Sequence, residues 1–374
     1  MKQYDIAAYV WPAFTGDEPR SRLFWPEGIG EWQTVKNEVR QYPEFSLKRK
    51  PLWGYVNEAD PAVMEMEIEQ AVSHGVNVFI YDWYWYDGRP FLENCLNEGF
   101  LKAKNRQDMR FYLMWANHDV NYGWDIRNST ADCFDSVIWT GRVDEKRFDA
   151  VCDRVIGQYF TRPEYYCIDG CPVFMIYDID NLVKGLGGVD IARRKLHEFR
   201  ERCVKAGLPG LHLQVAQWGN VTHNYSGLDT NAGCNTATLA HALGFDSATN
   251  YQFTHFVDVI RNYSEVLPDA QAMWETFYAQ YGGRYFPHVS VGWDNNLRYR
   301  GFRNEYVRHN EPEEFKKALL AVKDFVDRHR LKTPLITVNS WNEWTECSYL
   351  EPDLLYGYGY LEAIREVFVD QSKE

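Results

Sequence analysis

Residues 60–87 read DPAVMEMEIEQAVSHGVNVFIYDWYWYD, and they contain the unit from which the fold is predicted. Asp60 followed by Pro61 is typical of a helix start, because the aspartate side chain caps free amides and proline fits the first helical turn. The apolar positions that follow repeat at helical spacing, and Gly75 ends the helix. The run 76–81 is short and rich in β-branched and aromatic residues, as in a strand buried on both faces. A loop of Asp, Trp and Tyr follows.

The same unit recurs along the chain. Helical apolar stripes precede Gly207 and follow Asn310, and short apolar runs without strict alternation lie between such segments. Eight strands alternating with helices favour an α/β fold with one closed (β/α)8 barrel, a TIM barrel, as a single domain over residues 1–374. An open dinucleotide-binding sheet would need a glycine-rich turn after its first strand, whereas residues 10–14 read VWPAF. The predicted strands are 6–10, 76–81, 110–115, 172–177, 211–216, 244–248, 288–291 and 335–338.

The composition is that of an acidic globular protein with many aromatic rings. Of 374 residues, 14 are Trp, 25 are Tyr and 21 are Phe, and the formal net charge is −13. Because an acidic surface repels phosphate backbones, we do not expect a nucleic acid partner. No apolar run is long enough to predict a membrane span. The aromatic excess suits a cleft that stacks flat-faced ligands such as sugars, although a heavily aromatic core would give the same composition.

The first residues and the cysteines bear on compartment and cofactors. Residues 1–5 read MKQYD and contain no apolar leader segment, so we expect a cytoplasmic protein, or a periplasmic or secreted one if a leader has been removed. The eight cysteines are scattered without the spacing of a zinc site, so we expect reduced thiols and no metal or other cofactor. We expect a monomer or a weak homo-oligomer.

Aromatic and polar side chains follow almost every predicted strand. In a (β/α)8 barrel the active site lies at the C-terminal ends of the strands, so these residues should meet at one rim. Rings can cover the apolar faces of a sugar while Asp, Asn and His bind its hydroxyl groups, which predicts an oligo- or polysaccharide substrate. Chance clustering of polar residues in loops is the alternative. The predicted substrate-binding residues are Tyr9, Trp11, Asp82, Tyr84, Trp85, Trp115, Asn117, His118, Tyr177, Trp218, Trp293, Asp294, Trp341 and Asn342.

Glu343 and Glu346 are the predicted catalytic residues. Residues three apart face opposite sides of an extended strand, so both carboxylates can enter one cleft only if the chain turns after strand 335–338. Two carboxylates can act as acid and base when their environments separate their pKa values. We expect Trp344 or a neighbouring carboxylate to raise the pKa of Glu346, while Glu343 stays ionised near neutral pH. The alternative is a pair of surface glutamates that open a loop.

Two other functions remain open. Asp178-Ile179-Asp180 follows a predicted strand and has the Asp-x-Asp pattern with which many sugar-nucleotide transferases hold a divalent metal. A sugar-nucleotide-dependent glycosyltransferase of polysaccharide synthesis is therefore one alternative. A barrel that binds carbohydrate without catalysis is the other. Because such tripeptides are common by chance, we favour hydrolysis by the two glutamates without a metal.

Several blocks of sequence carry a family resemblance. The most specific is SWNEWTE at 340–346, and it continues in YLEPD at 349–353 and YGYGYLEA at 356–363. Further matches are GEW at 30–32, WAN at 115–117 and GWDN at 292–295, so the matches span nearly the whole chain. In these blocks the chain resembles the WbsX-type proteins and the related glycoside hydrolase family 99, the endo-α-mannosidases. Cys347 departs from the family pattern, which has glycine after the second glutamate.

The resemblance implies a (β/α)8 barrel and retaining hydrolysis of glycans. It assigns Glu343 as the base on the sugar 2-hydroxyl, Glu346 as the acid/base at the glycosidic oxygen, and Glu351 as a binding or supporting carboxylate. If the 2-oxygen attacks C1, it must lie antiparallel to the leaving group, as it does in α-mannosides and α-L-rhamnosides but not in α-glucosides. The expected substrate is therefore an α-linked manno-configured sugar, with the aromatic run 83–86 stacked near the cleaved bond.

Overall fold

The protein is described here by a computed structural model, which covers residues 4–16, 18–38, 49–219, 221–223, 225 and 234–370. The first three residues, on which the expectation about a leader partly rests, lie outside this part. The central sheet of the protein has eight parallel strands, each short and almost entirely buried. They are Asp5–Val10 (β1), Val78–Tyr86 (β2), Arg110–Trp115 (β3), Cys171–Ile176 (β4), His212–Ala216 (β5), Ser247–Thr249 (β6), His288–Ser290 (β7) and Leu335–Asn339 (β8).

The sheet closes into a barrel. Its strands are hydrogen-bonded in the spatial order β6-β5-β4-β3-β2-β1-β8-β7, and all seven pairings are parallel. The remaining gap is closed at β6, where the Ala248 amide donates to the Arg284 carbonyl over 3.0 Å and the Phe286 amide donates to the Ala248 carbonyl over 2.9 Å. The predicted (β/α)8 barrel is therefore confirmed.

Helices connect successive strands on the outside of the barrel. The predicted helix start at residue 60 is confirmed, because the Asp60 side chain accepts the Ala62 amide and Pro61 is the first helical residue. The α-helices in the described part of the chain are Trp32–Lys36 (α1), Pro61–Ser73 (α2), Glu145–Val155 (α3), Ile179–Leu186 (α4), Val189–Lys205 (α5), Thr236–Leu243 (α6), Tyr263–Gln280 (α7), Pro312–Arg328 (α8) and Gly359–Phe368 (α9).

The loops between these strands and helices carry short elements of their own. Antiparallel pairs join Arg89–Phe91 to β2, Cys167–Ile168 to β4, Val120–Asn121 to Val137–Trp139, Thr222–His223 to Cys234–Asn235, and Asn342–Glu343 to Ser348–Tyr349. Single helical turns occur at Pro19–Leu23, Cys95–Gly99, Phe100–Lys102, Arg106–Asp108, Tyr122–Trp124, Ile126–Asn128, Ile156–Phe160, Phe253–His255, Asn296–Arg298 and Trp344–Glu346.

Two predicted strands differ from the observed ones. β2 was expected to end at residue 81 but runs on to Tyr86, because its last residues pair with Arg89–Phe91 in a hairpin. The sixth strand was expected at 244–248 but begins at Ser247, because Gly244 ends α6 in the left-handed conformation at φ 81°. Both differences shift which side chains reach the rim.

All eight cysteines are free thiols, as expected. Within the described ranges, no helix combines the length and the apolar character that a bilayer crossing requires.

Candidate active site

A cavity of about 320 Å³ opens at the C-terminal ends of the barrel strands. Every one of the eight strand ends contributes at least one side chain to it, which is the arrangement expected of a (β/α)8 active site. Eight of the residues predicted from the sequence line the cavity. They are Trp11, Asp82, Tyr84, His118, Tyr177, Trp218, Glu343 and Glu346.

The turn required by the two glutamates is present after β8. The Glu343 amide donates to Ser340 Oγ over 2.7 Å, and the Ser340 hydroxyl donates to the Ser348 carbonyl over 2.7 Å. The chain then makes one tight helical turn over Trp344–Glu346. Because side chains three apart eclipse in such a turn, Glu343 and Glu346 enter the same cavity.

Cys347 ends this turn in the left-handed conformation at φ 49°. That region of backbone space favours glycine, because a side chain crowds the following carbonyl oxygen there. The left-handed backbone at this position explains why the related family has glycine there. In this chain the same conformation is adopted by a cysteine, at a cost in backbone strain.

Arg298 joins the two glutamates. Its Nη2 donates to Glu343 Oε1 over 2.6 Å and its Nη1 donates to Glu346 Oε1 over 2.7 Å. Its Nε donates to Thr345 Oγ1 over 2.9 Å and lies 3.5 Å from Glu31 Oε1. One planar guanidinium thus binds both carboxylates and Thr345, one of the two residues between them.

Two further contacts position acidic groups in the cavity wall. Trp11 Nε1 donates to Glu31 Oε2 over 2.5 Å, so the indole that lines the cavity also holds the carboxylate beside Arg298. The Tyr251 hydroxyl lies 2.9 Å from Asp82 Oδ2, to which it donates, and 3.4 Å from Glu343 Oε2. Asp82 Oδ1 and Glu346 Oε2 are buried and have no hydrogen-bond partner within the described ranges, so both can accept or donate to a ligand.

The cavity is strongly acidic. Five carboxyl groups line it, and Arg298 is the cation among them. Burial, together with repulsion from Glu346, raises the pKa of Glu343 well above its usual value, and the charge of Arg298 opposes this shift. Burial likewise raises the pKa of Glu346 and of Asp82. Glu343 was expected to stay ionised near neutral pH while the pKa of Glu346 rises; instead both pKa values are raised, because Glu343 is as deeply buried as its partner. The two glutamates titrate as a pair that shares protons.

Aromatic rings form the opposite wall of the cavity. Trp218 stacks on His255 with ring centroids 4.0 Å apart, and its edge meets Tyr177 at 5.2 Å. Burial lowers the pKa of His118 and lowers that of His255 to about 3, so both imidazoles are neutral near pH 7. A wall of neutral rings of this kind can pack against the apolar face of a sugar.

Strand alternation removes several predicted residues from the cavity. On β3, Met114 lines the cavity whereas the neighbouring Trp115 points outward to Phe148 of α3, at 6.0 Å. On β2, Tyr84 faces the cavity, whereas Trp85 packs on Trp83 at 5.8 Å on the other side. Trp115 ends β3 at the same rim as Glu343, but its side chain does not enter the cavity, and of the run 83–86 only Tyr84 lines it.

Other predicted residues support the loops from behind. Tyr9 lies inside the barrel, where its hydroxyl donates to the Asn250 carbonyl over 2.8 Å. Asn117 exchanges two hydrogen bonds with the Asp178 backbone, at 2.7 and 2.8 Å. Trp341, Asn342 and Glu351 are buried beside the Trp344–Glu346 turn without lining the cavity. Trp344, which was expected to raise the pKa of Glu346, does not line the cavity either.

Trp293 and Asp294 line a second cavity, of about 340 Å³. Asp294 Oδ1 accepts the amide and the side-chain Nδ2 of Asn296, at 3.0 and 2.7 Å. The Asp294 amide donates to the Glu346 carbonyl over 2.7 Å, so this loop is hydrogen-bonded to the Trp344–Glu346 turn. The structure thus places these two predicted residues next to the first cavity rather than in it.

Sequence reasoning missed four polar or aromatic residues of the cavity, namely Glu31, Trp124, Tyr251 and Arg298. Glu31 belongs to the GEW block at 30–32 that supported the family resemblance, so the sequence contained a signal for it, but no role was assigned to the residue. Tyr251 follows β6, the strand whose position was predicted too early. Arg298 had no local signal, because it reaches the glutamates across a loop from a different strand.

The Asp-x-Asp pattern is used within the protein. Asp178 caps α4 by accepting the Asn181 amide over 2.8 Å, and it lines the cavity. Asp180 accepts a hydrogen bond from the Tyr225 hydroxyl and lies 2.8 Å from His223 Nδ1. The hydrogen bonds from His223 and Tyr225 lower the pKa of Asp180 to about 2. These contacts explain both aspartates without a metal.

A sequence profile of the family described as Glycosyltransferase WbsX matches residues 6–364. The chain belongs to the WbsX family. The suspected resemblance is thereby confirmed. Two curated relatives, both described as uncharacterized protein WxcX from strains of Xanthomonas campestris pv. campestris, are 25% identical over 370 residues. The alignment covers 96% of this chain but 49% of each relative, so the chain spans about half the length of these relatives.

Solved structures similar to this WbsX chain share its fold. A GH99 endo-alpha-mannosidase from Bacteroides thetaiotaomicron matches with a TM-score of 0.58 and 14% identity, over 98% of this chain and 97% of that one. A structure described as a glycoside hydrolase-like protein matches with a TM-score of 0.60 and 13% identity, over 98% and 94% of the two chains. At these identities the likeness establishes the barrel and leaves the activity to be argued from the cavity.

Proposed function

We propose that the protein is a retaining glycoside hydrolase that cleaves α-linked, manno-configured glycans, either mannosides or rhamnosides. The observation that carries the proposal is the turn after β8, which directs Glu343 and Glu346 into one cavity where Arg298 binds both. Two buried carboxyl groups that share protons are what an acid and a base in one reaction require. The GH99 fold neighbours and the aromatic wall are consistent with a glycan substrate.

The reaction begins with the pair carrying one proton, on Glu346. Glu343 takes the proton of the sugar 2-hydroxyl, the 2-oxygen attacks C1 from the face opposite the leaving group, and Glu346 donates its proton to the departing glycosidic oxygen. Water then attacks C1 of the strained intermediate while Glu346 takes a proton from it and Glu343 returns its proton to the 2-oxygen. Two inversions give net retention, and both carboxyl groups return to their starting state.

The test is a panel of α-linked glycosides supplied without any sugar nucleotide. We expect release of reducing sugar from α-mannosides or α-L-rhamnosides, with an α-anomeric first product in a proton NMR time course. The matched control substrates are the corresponding α-glucoside and 2-deoxy glycoside, because the first holds its 2-hydroxyl gauche to the leaving group and the second lacks the nucleophile. Comparable hydrolysis of either control substrate would refute this mechanism.

A sugar-nucleotide-dependent glycosyltransferase is the second candidate, because the family description names that activity. Asp178 and Asp180 would then have to hold a metal, although both carboxylates already serve as a helix cap and as partners of Tyr225 and His223. The two functions differ in the sugar donor, which is a sugar nucleotide for the transferase and a glycoside for the hydrolase. Transfer from sugar nucleotides to an acceptor glycan, with no hydrolysis of glycosides in the panel above, would favour the transferase over the hydrolase.

A further inference from the structure

Three buried glutamates lie behind the catalytic turn. Glu58 precedes α2, Glu67 is on its inner face, and Glu351 follows the hairpin that carries Glu343. Their exposed fractions are 0%, 0% and 2%. One carboxylate oxygen from each lies within 4.8 Å of those of the other two. Three carboxyl groups in such a space repel one another strongly unless a positive charge or protons join them.

Neutral N–H groups hold the outer side of this cluster. Trp341 Nε1 donates to Glu67 Oε2 over 3.0 Å, and Trp344 Nε1 donates to Glu351 Oε2. Asn342 Nδ2 donates to both oxygens of Glu58, at 2.9 and 3.0 Å. These donors orient the carboxylates but carry no charge. They belong to the same four-residue stretch as Glu343, whose own side chain faces the cavity.

Two oxygens of the cluster have no partner. Glu67 Oε1 and Glu351 Oε1 are buried and accept no hydrogen bond from the described residues. The charges that act most strongly on Glu67 are those of Glu58 and Glu351, and no described lysine, arginine or histidine forms an ion pair with the three. Buried polar atoms normally have a partner, and carboxylate oxygens are ligands that hard cations bind, so a cation can supply the missing partner here.

We propose that Glu58, Glu67 and Glu351 bind one divalent cation, with calcium as the preferred ion, and that this ion holds the 341–344 stretch in place from behind. The donor set is oxygen only, which suits calcium or magnesium better than zinc or copper. Magnesium demands near-ideal octahedral geometry and usually keeps several of its waters, whereas calcium accepts an irregular cage of protein oxygens. A nearly fully buried cluster that offers one oxygen from each of three glutamates, all within 4.8 Å of one another, therefore suits calcium better.

Protons are the competing occupants. In the absence of a cation, burial raises the pKa of Glu58 to about 8 and raises those of Glu67 and Glu351 well above the usual value. A cluster that shares protons would be stable without metal and would be weakened by none of the treatments that remove calcium. The two occupants therefore predict opposite results.

The first measurement uses the whole wild-type chain without substrate, so that it is independent of the proposed hydrolase activity. The protein is loaded with calcium and passed through gel filtration to remove free ions. Elemental mass spectrometry should then find about one equivalent of calcium per chain. Terbium should replace calcium and should emit when tryptophan is excited, because Trp341 and Trp344 donate to two of the carboxylates that would bind the ion. Calcium should quench this emission by competition.

The second measurement is thermal unfolding in calcium, in magnesium and in EGTA. An ion that binds the folded chain and is released on unfolding stabilises the folded state, and Tm rises with the logarithm of its free concentration. We therefore expect Tm to be higher in calcium than in EGTA. Glu67→Gln and Glu351→Gln keep the acceptor for the indole N–H but remove a charge, and they should abolish this difference. Glu164→Gln, at a buried glutamate paired with Arg106, is the matched control and should keep it.

Wild-type protein without bound metal after loading, with the same Tm in calcium, magnesium and EGTA, would overturn the proposal and assign the cluster to protons. This result does not depend on whether the variants fold. A rise in Tm with magnesium alone would support a cation site and overturn its assignment to calcium.

Discussion

Trp11 and Asn342 exchange two hydrogen bonds across the ends of β1 and β8. The Trp11 amide donates to Asn342 Oδ1 over 2.7 Å, and Asn342 Nδ2 donates to the Trp11 carbonyl over 2.9 Å. The Trp11 ring and Glu343 both line the cavity. One buried amide side chain therefore fixes the distance between two strand ends from which the walls of the site are built.

Replacing Asn342 by leucine should destabilise the protein. The substitution keeps the volume but leaves the Trp11 amide and the Glu58 carboxylate without their buried partner, at a cost of about 2–4 kcal/mol. Urea unfolding followed by tryptophan fluorescence measures this free energy. Asn304→Leu, at an exposed position, is the matched control. Equal midpoints for wild type and Asn342→Leu would contradict the role given to this residue.

Glu343→Gln and Glu346→Gln should each lower kcat by about 10²–10⁴-fold with the fold intact. The two variants should differ in their response to the leaving group. An aryl glycoside with an acidic phenol needs no proton on departure, so it should restore much of the bond-cleavage step in Glu346→Gln but none in Glu343→Gln. Glu305→Gln, an exposed glutamate, serves as the control. Equal rescue of both variants would show that acid and base are assigned wrongly.

The pH profile of kcat/KM should be bell-shaped, with both limbs above the range of an ordinary glutamate. The pair must lose one of its two protons before Glu343 can act as base, so activity falls as pH drops through the lower of the raised pKa values. It must keep the other on Glu346, so activity falls again as pH rises through the higher one. With the aryl substrate the alkaline limb should disappear. An optimum near pH 4 would contradict the raised values.

Arg298→Lys should move the acidic limb of that profile to higher pH. An ammonium group cannot bind both carboxylates in a planar fork, so the glutamates lose part of the positive charge that favours their ionised forms. We expect lower kcat as well, because the pair is less well oriented. Arg300→Lys, two residues away and exposed, is the matched control. A loss of activity without any displacement of the limb would limit Arg298 to a structural role.

The prediction of the barrel succeeded because its signals are local. Capping at Asp60, the helical stripe after it and the buried apolar run before the rim are all visible within about thirty residues, and the same unit recurs. The tight turn at Glu343 and Glu346 was also foreseeable, because two carboxylates three apart on a strand end can share a cleft only through such a turn.

The composition of the cavity was predicted less well. Each strand-end aromatic was assumed to face the rim, but successive side chains on a strand point to opposite faces, so Tyr84 lines the cavity and Trp85 does not. Which of two neighbours faces inward depends on the register of the strand in the barrel. A run of aromatic residues contains no signal for that register, since both faces of the strand are buried.

The sequence by itself determined the order of strands and helices, the rim at which the cavity opens and the two glutamates that turn into it. Only the tertiary structure decided that Arg298 lies between those glutamates, that Tyr251 reaches Asp82 and that three more glutamates meet behind the turn. The physical reason is distance along the chain. Helices, strands and turns follow from neighbouring residues, whereas these contacts join residues from separate strand ends, and closure of the barrel brings them together.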